Sequence, residues 1–481
     1  MNDITDFSKF PTTVEDYNSD LKKLFQKYTK IYPPEKSPTE DSPDIIPANA
    51  HDMVNYIAKY SLTNFEIQAV MRLDRRLDFN KLVNAVRLSI DAQPVLGCRF
   101  VKSDPPYWQR LELNDNMEKL CSLEEVDNPE EGIQRFLQIS MNMDKDPMLF
   151  VRVVRSVDYD TLCIKINHVC SDAAGSKDYI HLLADIYSQI DIGNTDYTPI
   201  PGNRDRNDLE KLKAALGYDT PASTWGLQQQ IAYPTWNFPW KNNHTGDTDF
   251  SLGRLPYGQL DIMSRYSKAR GATINDLLLT AVFRALFQIS KPPYGIPMDI
   301  PVTIDLRRYL PGHKADAIRN LSGGIVIRID RRPDESFEET LSRVMTFTDA
   351  IKRKHPSMLN LSWLDYVEKL SFRQLCDYYK YMIQVAELSS QNPFYPVNCC
   401  SPVLSNIGFI SRSLIKFGES TVMDAYIVPP VVRAPGILLV AGTYNGIMTL
   451  GVGFYKTSVQ KHVMDSVIDK IKDQLVEGCM E

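Results

Sequence analysis

The residues best placed to do chemistry in this chain lie in one short segment, Asn167-His168-Val169-Cys170-Ser171-Asp172-Ala173-Ala174-Gly175. An imidazole titrates near neutrality and can take a proton from a hydroxyl or amine as that group attacks a carbonyl. A carboxylate four residues on can cap a helix or pair with a cation. The spacing alone is weak, because the chain holds a second example, His181-Leu182-Leu183-Ala184-Asp185. Position separates the two. Thr161-Leu162-Cys163-Ile164-Lys165-Ile166 is short, β-branched and apolar, which predicts a strand. After it, Ser171 or Asp172 can cap a helix with apolar residues at Tyr179, Ile180, Leu182, Leu183, Ile186, Tyr187 and Ile190. His168 therefore leaves a core strand just before a helix starts, where a rigid element holds it and the loop beyond can open to substrate. His181 and Asp185 fall inside that helix, one turn apart on one face, where a surface hydrogen bond is the ordinary outcome.

Cys170 offers a different chemistry. A thiol near a helix N-terminus can ionise more readily and form an acyl-enzyme. It stands two residues from His168 on the same segment, and no third group is evident to orient the histidine. Direct transfer with His168 as base is the preferred reading. The basic run Lys352-Arg353-Lys354-His355 could grip a phosphate, but a solvated helix end explains it as well.

The elements that must position these residues alternate in type. Over 65–167 the pattern predicts strands at 65–71, 95–101, 107–111, 149–154 and 161–167, with helices at 79–90 and 132–141. The second part of the chain predicts a strong helix from Thr273, strands at 298–305 and 324–329, and helices at 337–352 and 372–388. Strands follow at 403–410, 421–428, 437–441 and 447–454, then a terminal helix at 459–475. Asn445-Gly446 marks a hairpin turn between the last two strands, so this apolar stretch reads as core and not as a membrane span. The expected organisation is an extension at 1–50 with a short helix over 14–32, a first half at 51–195, a crossover at 196–250 anchored by Trp225, Trp236 and Trp240, and a second half at 251–481.

Composition bounds the function. The chain has 481 residues, 43% of them hydrophobic, enough for full globular cores. The net charge of −6 and the lack of a basic stripe argue against nucleic-acid binding. Eight cysteines with no C-x-x-C pair argue against a zinc site and suggest a reducing, cytoplasmic setting. The N-terminus lacks a positively charged start and an apolar run, so no signal peptide is expected.

Five segments together resemble a known superfamily. They are the His168-to-Asp172 motif at a strand end, Gln93-Pro94-Val95-Leu96-Gly97-Cys98-Arg99-Phe100, and Ala272-Thr273-Ile274-Asn275-Asp276-Leu277-Leu278-Leu279. The others are Pro301-Val302-Thr303-Ile304-Asp305-Leu306-Arg307-Arg308 with Asn320-Leu321-Ser322-Gly323, and Leu404-Ser405-Asn406-Ile407-Gly408. In order and spacing the chain resembles the chloramphenicol-acetyltransferase-like acyltransferases, which include condensation domains and alcohol acetyltransferases. Two departures stand out. Asn167 occupies the place of the first of two histidines in condensation domains, and Ala173 follows Asp172, with glycine delayed to Gly175. The D-F-G-W motif of the plant members is missing. A stand-alone enzyme acting on small substrates fits best.

The resemblance implies an α/β fold of two similar two-layer halves in a V with a tunnel at their junction. It implies an acyltransferase that moves an acyl group from a thioester to an alcohol or amine, with His168 as general base and no covalent intermediate. Asp172 would be structural, paired with Arg307, with Gly175 beside them, and Ser405 or Asn406 could supply an oxyanion donor. No metal and no resident cofactor are implied. Acyl-coenzyme A or an acyl carrier protein would be the cosubstrate, with no nucleic acid and no membrane span. The alternative is a non-catalytic binding or scaffold module that keeps the fold.

Overall fold

The protein is described from a computed structural model covering residues 44–58, 64–112, 117–194, 197–202, 204, 206, 209–217, 236–353, 357–379 and 399–480, with the side chains of 352, 353, 357–360, 362 and 399 excepted. The helix expected over 14–32, Trp225, the end of the helix expected over 372–388, and the side chains of the basic run at 352–355 lie outside these residues.

The first part of the chain runs through helix α1 (Ala50–Ala58), strand β1 (Glu66–Leu73), α2 (Phe79–Ala92), β2 (Cys121–Glu125), α3 (Pro129–Gln138), β3 (Leu149–Arg155), β4 (Asp160–Asn167) and α4 (Ala173–Asp191). Helix α5 (Leu209–Leu216) lies in the crossover. The second part runs through β5 (Thr248–Arg254), α6 (Gln259–Ala269), α7 (Ile274–Ser290), β6 (Pro297–Asp305), β7 (Ser322–Asp330), α8 (Phe337–Arg353), α9 (Ser357–Val367), β8 (Val403–Phe409), β9 (Lys416–Phe417), β10 (Ser420–Val428), β11 (Leu438–Tyr444), β12 (Ile447–Tyr455) and α10 (Lys461–Gly478).

Two six-stranded mixed sheets organise these elements, in the orders β9-β10-β1-β4-β3-β2 and β7-β6-β8-β11-β12-β5. β10 belongs by sequence to the second part, yet it pairs antiparallel with β1, from Val428 opposite Gln68 to Val422 opposite Leu73. The division of the chain by sequence is therefore not its division into sheets. Each sheet has its own apolar core. The first joins Leu162, Ile164 and Ile166 of β4 to Leu82 and Val86 of α2 and Leu183 of α4. The second joins Ile300 and Val302 of β6 to Leu278, Val282 and Phe283 of α7. A third cluster brings Phe250 and Tyr455 of the second sheet against Val70 and Cys163 of the first.

Local chemistry explains the boundaries. Every residue of β4 is buried, because helices cover one face and the third cluster the other; Leu162-Cys163-Ile164 gives it a short apolar run on both faces, and the buried Lys165 is paired with Glu66 at 3.1 Å. Thr273 and Asp276 close a reciprocal capping box at the start of α7. Asn445 and Gly446 both take positive φ, +46° and +76°, in a two-residue turn between Tyr444 and Ile447, the geometry that favours Asn-Gly there. The strand expected over 95–101 instead opens with a 3₁₀ turn at Pro94–Gly97 and pairs only from Cys98, because proline fixes its φ and has no N–H to donate. The helix expected over 132–141 starts at Pro129, capped by the Asn128 side chain. Of the crossover's aromatic anchors, Trp236 stacks on Phe287 at 5.4 Å and Trp240 is buried in the second core.

Candidate active site

Asn167 is the last residue of β4 to pair with β1, opposite Glu66, and His168 is the first to leave the sheet. Its own backbone N–H donates to the Phe65 carbonyl at 2.6 Å. Phe65 sits at φ +56°, a left-handed conformation uncommon for a large side chain, and its ring meets the imidazole edge-on at 5.6 Å. The His168 carbonyl accepts from Asn320 Nδ2 at 2.9 Å and Asn55 Nδ2 at 3.3 Å. The ring's Nδ1 faces Asn320 Oδ1 at 3.0 Å. The side chain is half-buried, so it is held on one side and open on another.

Asp172 caps α4. Its Oδ1 accepts from the Gly175 N–H at 2.8 Å; its Oδ2 accepts from Arg307 Nη1 at 2.8 Å and the Leu321 N–H at 2.7 Å. Both oxygens are thus committed to donors other than His168. Burial pushes the Asp172 carboxyl up, but Arg307 and the two backbone N–H groups outweigh it and hold the group below its ordinary value. Arg307 reaches on through Nη2 to the Arg319 carbonyl at 2.7 Å. Gly175 lets this layer close. A Cβ there would come within 2.5 Å of Ser171 Oγ and 3.2 Å of the Arg319 carbonyl. The Asp172–Arg307 pair ties the first residue before α4 to the 3₁₀ turn that follows β6, across the two parts of the chain.

A second buried ion pair supports the same loop from behind. Arg206 Nη2 lies 2.7 Å from Asp52 Oδ1 of α1, and both side chains are almost fully buried. The same Nη2 donates to the Cys170 carbonyl at 3.0 Å, and Nη1 donates to the Ile318 carbonyl at 2.6 Å. Trp108 Nε1 adds a bond to Asp52 Oδ2 at 2.9 Å. One guanidinium from the crossover therefore links the His168 loop, α1 and the segment before β7.

The other candidates are placed as follows. Ser405 and Asn406 lie on β8. Ser405 Oγ accepts from Thr303 Oγ1 of β6 at 2.9 Å, which leaves its own O–H to donate. Asn406 Oδ1 accepts from the Gly408 N–H at 3.0 Å, at a bulge where Gly408 takes φ +66°. No hydrogen bond joins either residue to His168 among the described residues. Lys177 Nζ latches α4 to β8 through the Ile407 and Phe409 carbonyls at 2.7 and 3.2 Å. The Cys170 thiol is buried against the Asn167 carbonyl at 3.2 Å, and burial pushes its pKa up. His181 and Asp185 sit within α4 and take no part in the network. Among the described residues no group of three or more His, Cys, Asp or Glu could hold a metal ion, and no single helix is long and apolar enough to cross a membrane.

Asn320, Asn55, Asp52 and Arg206 were missed as site residues. Asn320 entered only as a letter in a loose pattern, and Arg206 lies in a stretch whose Pro, Asn and Gly content reads as linker. Asn320 also lines a small open cleft together with His51, Arg206, Leu321 and Leu364.

No protein-family model matches the sequence, and no curated protein does. Solved structures do match. The first condensation domain of the calcium-dependent antibiotic synthetase, in complex with a substrate analogue, gives a TM-score of 0.67 at 14% identity, covering 92% of this chain and 98% of that one. Trichothecene 15-O-acetyltransferase from Fusarium sporotrichioides gives 0.67 at 12% identity, covering 94% and 99%. The epimerization domain from the third module of tyrocidine synthetase B gives 0.65 at 13%, covering 93% and 98%. The fold is the α/β fold that these condensation, epimerization and acetyltransferase structures share, and the resemblance drawn from the motifs holds at that level.

Proposed function

We propose that the chain is an acyltransferase that moves an acyl group from a thioester to an alcohol or amine, with His168 as general base. The observation that carries this reading is the setting of His168: a half-buried imidazole fixed at its backbone N–H, its carbonyl and one ring nitrogen, at the end of a fully buried strand. The other ring nitrogen, Nε2, takes the acceptor's proton as its oxygen or nitrogen attacks the thioester carbonyl. A new C–O or C–N bond forms, the C–S bond breaks, and the imidazolium returns the proton to the departing thiolate. Ser405, with its O–H free to donate, or Asn406 steadies the oxyanion. Asp172 and Arg307 hold the loop and do no chemistry, since the carboxylate already has three donors.

The donor is acyl-coenzyme A or an acyl carrier protein, taken up as cosubstrate; no resident cofactor or metal enters the scheme. The buried thiols of Cys98, Cys121, Cys163, Cys170 and Cys479, which form no disulfide among the described residues, fit a reducing cytoplasm.

The test is thiol release from a panel of acyl-coenzyme A and acyl-carrier donors, with alcohol and amine acceptors. His168→Ala should fold normally and lose about 10²- to 10⁴-fold of the rate; His181→Ala should be nearly silent. Undiminished turnover in a folded His168→Ala protein would sink the mechanism. Complete lack of turnover across the panel would favour a binding or scaffold module instead.

A further inference from the structure

We infer that Asn320 is a positioning residue that locks His168 in the tautomer carrying its proton on Nδ1, leaving Nε2 as the basic atom. The argument starts from the amide. Asn320 is fully buried, two residues before β7 begins. One end of its side chain lies 2.9 Å from the His168 carbonyl and 2.9 Å from the Val169 carbonyl. Carbonyl oxygens only accept, so that end must be the NH₂, with both hydrogens used. A flipped amide would set three oxygens against one another in a buried site. The remaining end, Oδ1, is therefore an acceptor, and it faces His168 Nδ1 at 3.0 Å. A neutral imidazole satisfies it only with the proton on Nδ1, and the partner of one ring nitrogen sets the state of the other.

Three further contacts keep the imidazole from escaping this choice. The Phe65 ring stands edge-on to it at 5.6 Å. Its backbone is pinned by Phe65 O and Asn55 Nδ2, so the loop cannot slide to bring Nε2 to the amide. The partner is neutral. The buried carboxylate nearest in sequence, Asp172, is spent on Arg307, Gly175 and Leu321. Orientation of the base is thus the work of an amide on the other part of the chain, while the acidic residue of the motif serves the loop. As a statement about catalysis this rests on the proposed function; as a statement about the imidazole it does not.

The experiment is nitrogen-resolved NMR on protein carrying ¹⁵N-histidine, with His168→Gln used to pick out the His168 signals among the seven histidines. The expected result for neutral His168 is a protonated Nδ1 and a bare Nε2. A His168 protonated on Nε2 would overturn the inference whatever the enzyme assays show. In Asn320→Leu, the Nδ1–H preference should disappear and kcat should fall by about 10- to 100-fold with KM little changed, a smaller loss than removal of the base itself. A folded Asn320→Leu protein that keeps the Nδ1–H tautomer would also overturn it. If the wild-type tautomer is as stated and no thioester is turned over, the inference stands and the acyltransferase reading falls.

Discussion

Asp172 and Arg307 are 135 positions apart in the chain and 2.8 Å apart in space, and both side chains are about 5% exposed. Losing Arg307 strands the buried Asp172 carboxylate, which costs about 3–5 kcal/mol; losing Asp172 leaves the buried guanidinium only the half-exposed Asp305 carboxylate at 3.2 Å. Asp172→Ala and Arg307→Ala should each lower the urea midpoint, Arg307→Ala by a loss of that size. The double variant should lose clearly less than the sum, because the second change removes the stranded charge. Simple additivity would show that the two do not act as a pair.

The same pair sets a pH dependence. The folded Asp172 carboxyl lies below its ordinary value, so the unfolded chain binds its proton more readily. The stability it contributes is complete above the ordinary aspartate range and is lost as pH falls through the depressed folded value. Below about pH 5, wild-type stability should therefore fall more steeply than that of Asp172→Asn, which lacks the titrating group. Equal slopes in denaturant titrations across that range would contradict the shift.

Cys170 should be chemically quiet. Its thiol is fully buried, bonded to the Asn167 carbonyl, and pushed upward in pKa by that burial. It should resist alkylation in the folded protein and react only after denaturation. Cys170→Ala should keep most activity, and intact mass spectrometry during turnover should show no acyl adduct. An acyl mass shift that vanishes in Cys170→Ala would replace direct transfer with a covalent route.

Arg206 is expected to matter out of proportion to its place in a crossover. Arg206→Met would strand Asp52 and free the Cys170 and Ile318 carbonyls, a loss of about 3–5 kcal/mol. Arg206→Met combined with Asp52→Leu should recover part of that stability, since no lone charge remains. Thermal unfolding of the three proteins measures this; a double variant worse than Arg206→Met alone would refute the pairing.

Much of this arrangement was legible in the residues. The strand ending at Asn167, the helix after Asp172, the capping of α7 and the Asn445-Gly446 turn all follow from local chemistry that acts over a few residues. Three kinds of feature did not. Helices α1, α5, α6 and α9 and strands β2, β5 and β9 went unread; Thr248–Arg254, for example, carries only Phe250 and Leu252 as apolar side chains. β10 was recognisable as a strand, but nothing in its own residues names the neighbour it pairs with. Asn320 meets His168 across 152 positions, and no periodicity reaches that far. A short amide quoted in passing proved to hold the ring, while the conspicuous aspartate holds only the loop.

The journey of β10 into the first sheet has a consequence for how this chain can come apart. Between Gln68 and Leu73, β1 has β4 on one side and β10 on the other. A fragment ending near residue 250 would carry every residue of the His168 segment and still present β1 as a bare edge, a template for sticking to other chains. The first sheet is finished only when residues beyond 420 have been made and delivered to it. The molecule is in this sense stitched shut by its own late strand, and it cannot be divided into two self-sufficient pieces by any single cut between them.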